Sequence, residues 1–126
     1  MPSVIQKRSY NSVKIFWLNK ELLETNIFNA VNTLIDSRLE VKKVILFGSI
    51  AENRGLPSSD VDILIIVSES TCRFIDRALD FQKFFEDVGL GVDLFVYTEE
   101  EIERYNIPLA NSAMKKGKIL FKRESV

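Results

Sequence analysis

Apolar and polar residues follow two periods along this chain, and together they predict a mixture of strands and helices. Three mainly apolar segments are typical of strands buried in a core: Lys43–Phe47, Val61–Val67 and Val92–Tyr97. The segment Val13–Trp17 instead alternates apolar and other residues, which predicts an edge strand with one buried face. The polar, mixed-charge residues Met1–Asn11 precede it, and we expect them to form a loose terminus.

Two longer segments show helical spacing. Asn19 is a suitable amino-terminal cap, and apolar residues three or four apart predict a helix behind it: Leu23, Ile27, Ala30, Val31 and Leu34. A second set of the same spacing predicts another helix, which Gly89 and Gly91 end: Phe74, Ala78, Phe81, Phe85 and Val88. The first of these helices precedes the run Lys43–Phe47, and the second precedes Val92–Tyr97.

The last third of the chain contains signals for two more helices and a strand. Thr98 and Glu101 have the spacing of a capping box, and Pro108 can begin a helix that Gly117 ends. A short strand, Lys118–Phe121, follows. Since the elements do not repeat as strand–helix units, they predict an α+β fold in which helices cover a mixed β-sheet.

Composition narrows the classes of protein to which the chain can belong. A length of 126 residues suits one core, so we expect a single domain over residues 1–126. The formal charge of −1 argues against a bulk nucleic-acid binder. No apolar run approaches the ~20 residues of a membrane-spanning helix, and the amino terminus lacks the apolar core of a signal peptide, so we expect a cytoplasmic protein. The absence of histidine excludes imidazole catalysis.

Asp60 and Asp62 are the first candidates for chemistry. At positions i and i+2 of a strand their side chains leave the same face, roughly 6 to 7 Å apart at the backbone. Carboxylates so placed can share a magnesium ion, or they can simply decorate the exposed end of a strand. Gly48 and Ser49 directly follow a buried strand and offer an open backbone, amides and a hydroxyl to phosphate oxygens. An ordinary turn that needs a small residue is the alternative.

The segment LFGSIAENRGLPSSDVDILI resembles the signature of minimal nucleotidyltransferase domains of the DNA polymerase beta superfamily. In that signature a GS pair, a spacer and a DxD motif precede a third acid on a later strand, here Asp93 in VDLFVYT. The resemblance implies a nucleotidyltransferase-like fold in which Asp60, Asp62 and Asp93 are catalytic and hold Mg²⁺ in a two-metal site. It also implies that Asp93 helps to deprotonate the acceptor hydroxyl.

The nucleotide-binding residues implied by the resemblance are Gly48, Ser49 and Ser59, with ATP or another nucleoside triphosphate as the substrate. One position departs from the family pattern, because Asn53 stands where a glycine is common. Asparagine tolerates the left-handed backbone conformation better than most residues, so we expect the loop to keep its shape.

The resemblance implies transfer of a nucleoside monophosphate, AMP from ATP, to a hydroxyl acceptor. A tyrosine of a HEPN-type helical toxin is one such acceptor, which would make the chain an antitoxin; a small molecule is another. Nucleic acid is disfavoured as a partner because the chain lacks a strong basic balance. The alternative is a nucleotide-binding or toxin-neutralising module with little turnover, and a homo-oligomer is compatible with either hypothesis.

Overall fold

The computed structural model describes residues 2–124 of the chain. Its strands and helices follow in this order: β1 (Ile5–Tyr10), β2 (Val13–Leu18), α1 (Lys20–Ser37), β3 (Val41–Phe47), α2 (Gly48–Ala51), β4 (Val61–Val67), α3 (Phe74–Gln82), β5 (Val92–Thr98), α4 (Glu99–Arg104), α5 (Pro108–Lys116) and β6 (Lys118–Lys122). A single turn of 3₁₀ helix, Lys83–Phe85, follows α3.

Four strands form the central sheet in the order β5-β4-β3-β6. Strand β3 pairs antiparallel with β4 and with β6, whereas β4 and β5 run parallel. The predicted α+β fold with a mixed sheet is therefore confirmed. No helix within residues 2–124 combines the length and the apolar character that crossing a membrane would require.

Helices cover both faces of this sheet because its two central strands are apolar on both sides. On one face, α1 and the α3 segment bury the larger cluster, which includes Leu23, Ile27 and Phe85 together with Ile63 of β4. On the other face, Ala110 and Ala113 of α5 complete a smaller cluster with alternate sheet residues: Ile45, Leu64 and Ile66. Asp62 has the same parity along β4 as Leu64 and therefore lies on the α5 side of the sheet.

The helix signals in the sequence are largely confirmed. Asn19 caps α1 by accepting a hydrogen bond from the Leu22 amide, and the residues predicted for its buried face are buried. Thr98 and Glu101 form the expected capping box at α4, and α5 begins at Pro108. The second predicted helix is shorter than expected: α3 ends at Gln82, before the predicted glycines.

Three expectations are wrong. Residues Ile5–Tyr10 form strand β1 and are not a loose terminus; Met1 lies outside the described residues. Strand β2 has no buried face, because it pairs only with β1 in a separate two-stranded sheet. Phe74 is exposed, since its ring packs over Tyr97 of strand β5 and not into the core. The expectation that Val92–Tyr97 is a core strand is confirmed only in part, because β5 has buried residues but lies at the edge of the sheet.

Candidate active site

The end of β3 and the starts of β4 and β5 lie at the same end of the central sheet and bring the predicted acids near one another. Asp62 pairs in register with Asp93 of the parallel neighbour β5, and with Phe47 of the antiparallel neighbour β3. Neighbouring strands lie about 4.8 Å apart, so the carboxylates of Asp62 and Asp93 leave adjacent positions on one face. Gly48 follows Phe47 directly and therefore lies beside Asp62.

Two glycines make room for the two aspartates of the DxD motif. Gly48 has a φ of +79°, and a Cβ atom at this position would collide with Oδ2 of Asp62. A Cβ atom on Gly91 would lie only 2.6 Å from Oδ1 of Asp60. Both positions therefore require glycine if the carboxylates are to keep their places. The role of Gly91 was missed in the sequence, where it indicated only the end of a helix; its position two residues before Asp93 was the available signal.

The acids at this end of the sheet repel one another. Burial raises the pKa of the half-buried Asp62, and the negative charges of Asp93 and Asp60 raise it further. Asp60 and Asp93 are exposed. Within residues 2–124 none of these three carboxylates forms an ion pair with lysine or arginine. A group of repelling carboxylates without a protein cation is suited to divalent metal ions, which prefer oxygen ligands.

The carboxylates form a loose group and not a closed cage. Among the residues that the structure describes, no three acidic or cysteine side chains converge closely enough to hold a metal ion by themselves. The donor set nevertheless fits magnesium, because every side chain in it is a carboxylate and magnesium is usually held by one or two carboxylates together with substrate phosphates.

The loop between Gly48 and Asp60 is ordered by its own hydrogen bonds. The Ser49 carbonyl accepts from the Arg54 amide at 2.8 Å, and the Ser59 hydroxyl accepts from the Leu56 amide at 2.8 Å. Asn53 has a φ of +58°, which confirms the expected left-handed conformation at the position where the family commonly has glycine. The loop thus keeps a turn there, and Ser59 closes it immediately before Asp60.

A cavity of about 400 Å³ lies at the opposite end of the sheet, near Arg38, Cys72 and Arg77. None of the residues that line it is Asp60, Asp62 or Asp93, so it does not mark the candidate active site. Two acids that line it, Glu40 and Asp80, already pair with Arg38. The cavity is thus lined by acids that have a cation, whereas Asp60, Asp62 and Asp93 form no ion pair within residues 2–124.

A sequence profile described as "Nucleotidyltransferase domain" matches residues 28–126. Among solved structures, a candidate nucleotidyltransferase from Sulfolobus solfataricus is similar over 82% of this chain and 84% of that chain, with 24% sequence identity and a TM-score of 0.61. The comparison with curated proteins gives no significant match.

Two further structures are toxin–antitoxin complexes. One, solved with AMP-PNP, covers 77% of this chain and 74% of that chain at 22% identity and a TM-score of 0.59. The other, MntA–HepT, covers 82% of this chain and 73% of that chain at 21% identity and a TM-score of 0.53. At these identities the likeness concerns the fold.

Proposed function

The chain belongs to the nucleotidyltransferase domain family, and from this premise we propose that it transfers a nucleoside monophosphate, AMP from ATP, to a hydroxyl group. The observation that carries the proposal is the pairing of Asp62 with Asp93 beside the open backbone of Gly48. Within residues 2–124 neither carboxylate, nor that of Asp60, has a lysine or arginine partner. A structural group of acids would be expected to have arginine or lysine partners, as the acids at the other end of the sheet have.

Asp60, Asp62 and Asp93 would hold the divalent cations, and their oxygen-only donor set favours Mg²⁺. When bound, these ions supply charge stabilisation to the attacking and leaving oxygens of an in-line displacement. The contribution of Asp62 is its fixed position, since its carboxylate packs against Gly48 and is half-buried. Asp60 is positioned in the same way against Gly91.

Gly48, Ser49 and Ser59 are the proposed contacts of the triphosphate. Gly48 has no side chain to obstruct a phosphate, and the hydroxyl groups of Ser49 and Ser59 can donate to phosphate oxygens. Ser59 retains that ability because its oxygen accepts from the Leu56 amide while its O–H group is free to donate. Asp93 is exposed on edge strand β5, which suits a base that accepts the proton of an incoming hydroxyl.

We propose a tyrosine hydroxyl of a HEPN-type helical toxin as the acceptor. Two observations support this choice: residues 2–124 form the nucleotidyltransferase unit and an amino-terminal hairpin without a separate helical acceptor domain, and toxin–antitoxin complexes share the fold. A small-molecule acceptor is less well supported, because neither toxin–antitoxin likeness points to one.

The proposal is tested with two measurements on the purified protein. Calorimetry with AMP-PNP, with and without Mg²⁺, reports nucleotide binding independently of any acceptor. ATP labelled at the α-phosphate, incubated with the protein in a cell extract, reports transfer. We expect Mg²⁺-dependent binding and labelling of a protein, both lost in Asp60→Ala/Asp62→Ala. The matched control is Asp36→Ala/Glu103→Ala, which removes two exposed acids outside the site.

The outcomes separate this proposal from the alternative of a binding module. Label transfer that survives in Asp60→Ala/Asp62→Ala would show that these carboxylates do not hold the catalytic metal ions. Mg²⁺-dependent binding of AMP-PNP without transfer to any acceptor would instead support a nucleotide-binding or toxin-neutralising module with little turnover.

A further inference from the structure

The hairpin of β1 and β2 is the part of the structure that the proposed function leaves unexplained. It lies outside residues 28–126, which match the family. Its two-residue turn, Asn11 and Ser12, has positive φ at both positions, as a type I′ turn requires. The base is fastened to the domain, since Val4 is buried and its carbonyl accepts from the Asn19 amide at 2.7 Å. The hairpin is thus an ordered element with both faces exposed except at its base, where Ile5 and Leu18 pack against the core.

The two free edges of this hairpin differ in composition. Strand β1 carries Lys7 and Arg8, and charged side chains are a common protection of a free edge. Strand β2 has the sequence VKIFWL, in which Lys14 is the one charged residue. Its large side chains are exposed: Val13 by 58%, Phe16 by 55% and Trp17 by 41%. An apolar, unprotected edge strand of this kind is prone to pair with another strand.

We propose that a second copy of this chain covers β2, through antiparallel pairing of the two β2 strands into a continuous four-stranded sheet. The order of strands would be β1-β2 from one copy followed by β2-β1 from the other. Such a contact uses the same surface on both copies, so a twofold axis closes it and no further copies add.

Backbone geometry selects a register for this pairing. In a two-residue hairpin, Tyr10 and Val13 exchange hydrogen bonds, so Lys14, Phe16 and Leu18 direct their backbone groups to the free edge. A twofold axis at Phe16 then places Phe16 opposite its own copy. In this register Ile15 lies opposite Trp17 of the second copy, an aromatic–β-branched pair that stabilises antiparallel sheets.

Charge favours pairing at the β2 edge over stacking of the hairpin faces. Lys7 and Arg8 would lie on the two outer strands, about 14 Å apart across three strand spacings. That separation exceeds the Debye length of about 8 Å at physiological salt, so their mutual repulsion is weak. Face-to-face stacking would bring the same cations together. Since a strand pair buries less than about 1,200 Å², we expect a dissociation constant in the micromolar range.

Sedimentation equilibrium of the full chain and two proline variants tests the proposal. Phe16→Pro removes an amide that faces the free edge of β2 and keeps the hydrogen bonds to β1. Ser9→Pro is the matched control, because Ser9 lies opposite Lys14 and directs its amide to the free edge of β1. We expect Phe16→Pro to weaken the dimer at least about tenfold and Ser9→Pro to leave it unchanged. Circular dichroism verifies that each variant is folded.

Disulfide crosslinking gives a second measurement that does not rely on proline. In a Cys72→Ser background, Phe16→Cys should form an intermolecular disulfide under mild oxidation, since Cα atoms of hydrogen-bonded pairs lie about 5.5 Å apart. Ser9→Cys should not. A wild-type chain that stays monomeric at hundreds of micromolar, or crosslinking that is equal at Ser9 and Phe16, would overturn the proposal.

Discussion

The pKa values of carboxylates are shifted in opposite directions at the two ends of the central sheet. At the candidate active site, burial and the neighbouring charges of Asp93 and Asp60 raise the pKa of Asp62. At the other end, a hydrogen bond from Arg38 lowers the pKa of Asp80, at an N–O distance of 2.6 Å. Burial raises the pKa of Glu101, but hydrogen bonds from Arg77 and Thr98 outweigh it, so that this pKa is also lowered.

This difference separates acids that stabilise the fold from acids that are available for chemistry. A carboxylate that has an arginine partner gains stability from its charge in the folded state. Carboxylates that only repel each other lower stability, and proteins tolerate such arrangements chiefly at functional sites. We therefore expect substitutions at the two ends to separate activity from stability.

The largest effect is expected for Asp62→Asn. The substitution keeps the shape of the side chain but removes the charge that would hold a metal ion, and metal ions supply several kcal/mol of transition-state stabilisation. We expect nucleotidyl transfer from ATP to fall by about 100- to 1,000-fold. Urea unfolding in metal-free buffer should show no loss of stability, because the charge removed is one that Asp93 and Asp60 repel. A destabilised variant would contradict the contrast between the two ends.

Arg77→Met should have the opposite effect, a loss of stability without a loss of nucleotide binding. Arg77 is only 9% exposed and donates to Glu101 at 2.6 Å and to the Cys72 carbonyl at 3.1 Å. Its removal leaves Glu101 without its cation, so we expect a loss of about 2 kcal/mol in the free energy of unfolding. Nucleotide binding should be unchanged at temperatures where the variant is folded.

Arg104→Met is the control for that measurement. Arg104 pairs with Glu100, but the two side chains are 64% and 72% exposed. An exposed pair of this kind contributes little, so the variant should lose less than about 0.5 kcal/mol. Equal losses in Arg77→Met and Arg104→Met would show that the Arg77–Glu101 pair does not stabilise the fold as proposed.

The candidate site could be predicted from sequence where its elements are local. Asp60 and Asp62 are two residues apart, and the GS pair follows an apolar run, so the positions of two strand ends were evident. The resemblance implied that Asp93 on a later strand joins the other two acids, but the parallel register of β4 and β5 that pairs Asp62 with Asp93 is known only from the structure. The packing of Asp60 against Gly91 depends on a contact between two loops, so the position of Gly91 two residues before Asp93 indicates it only once the strand pairing is known.

The position of the amino-terminal hairpin, by contrast, could not be predicted from local sequence. Alternation in β2 correctly predicted a strand, but alternation does not distinguish a face that packs on the core from one that projects away from it. The polar composition of β1 hid a strand, because hydrogen bonds to β2 order it and only its first residue, Ile5, packs against the core. Spacing is equally ambiguous for Phe74, which fits the apolar stripe of a helix although its ring lies on the surface.

A further small effect that tests the contrast between the two ends is the dependence of stability on acid pH. Since the folded-state pKa of Asp80 lies below its unfolded value, its ion pair contributes stability that is fully present above the unfolded pKa, near pH 4. That contribution is lost as the pH falls through the folded-state value. The stability difference between wild type and Asp80→Asn should therefore be present at neutral pH and shrink as the pH falls below about 4.

The Asp80 side chain is 39% exposed, so solvent screens its pair with Arg38 and we expect the neutral-pH difference to be under about 1 kcal/mol. Urea unfolding of both proteins at neutral pH and near pH 3 measures it. Asp36→Asn, which replaces an exposed carboxylate on α1, provides the background. A difference that grows on acidification would mean that the charge of Asp80 destabilises the folded chain, and the two ends of the sheet would then not differ in the way that their arginines indicate.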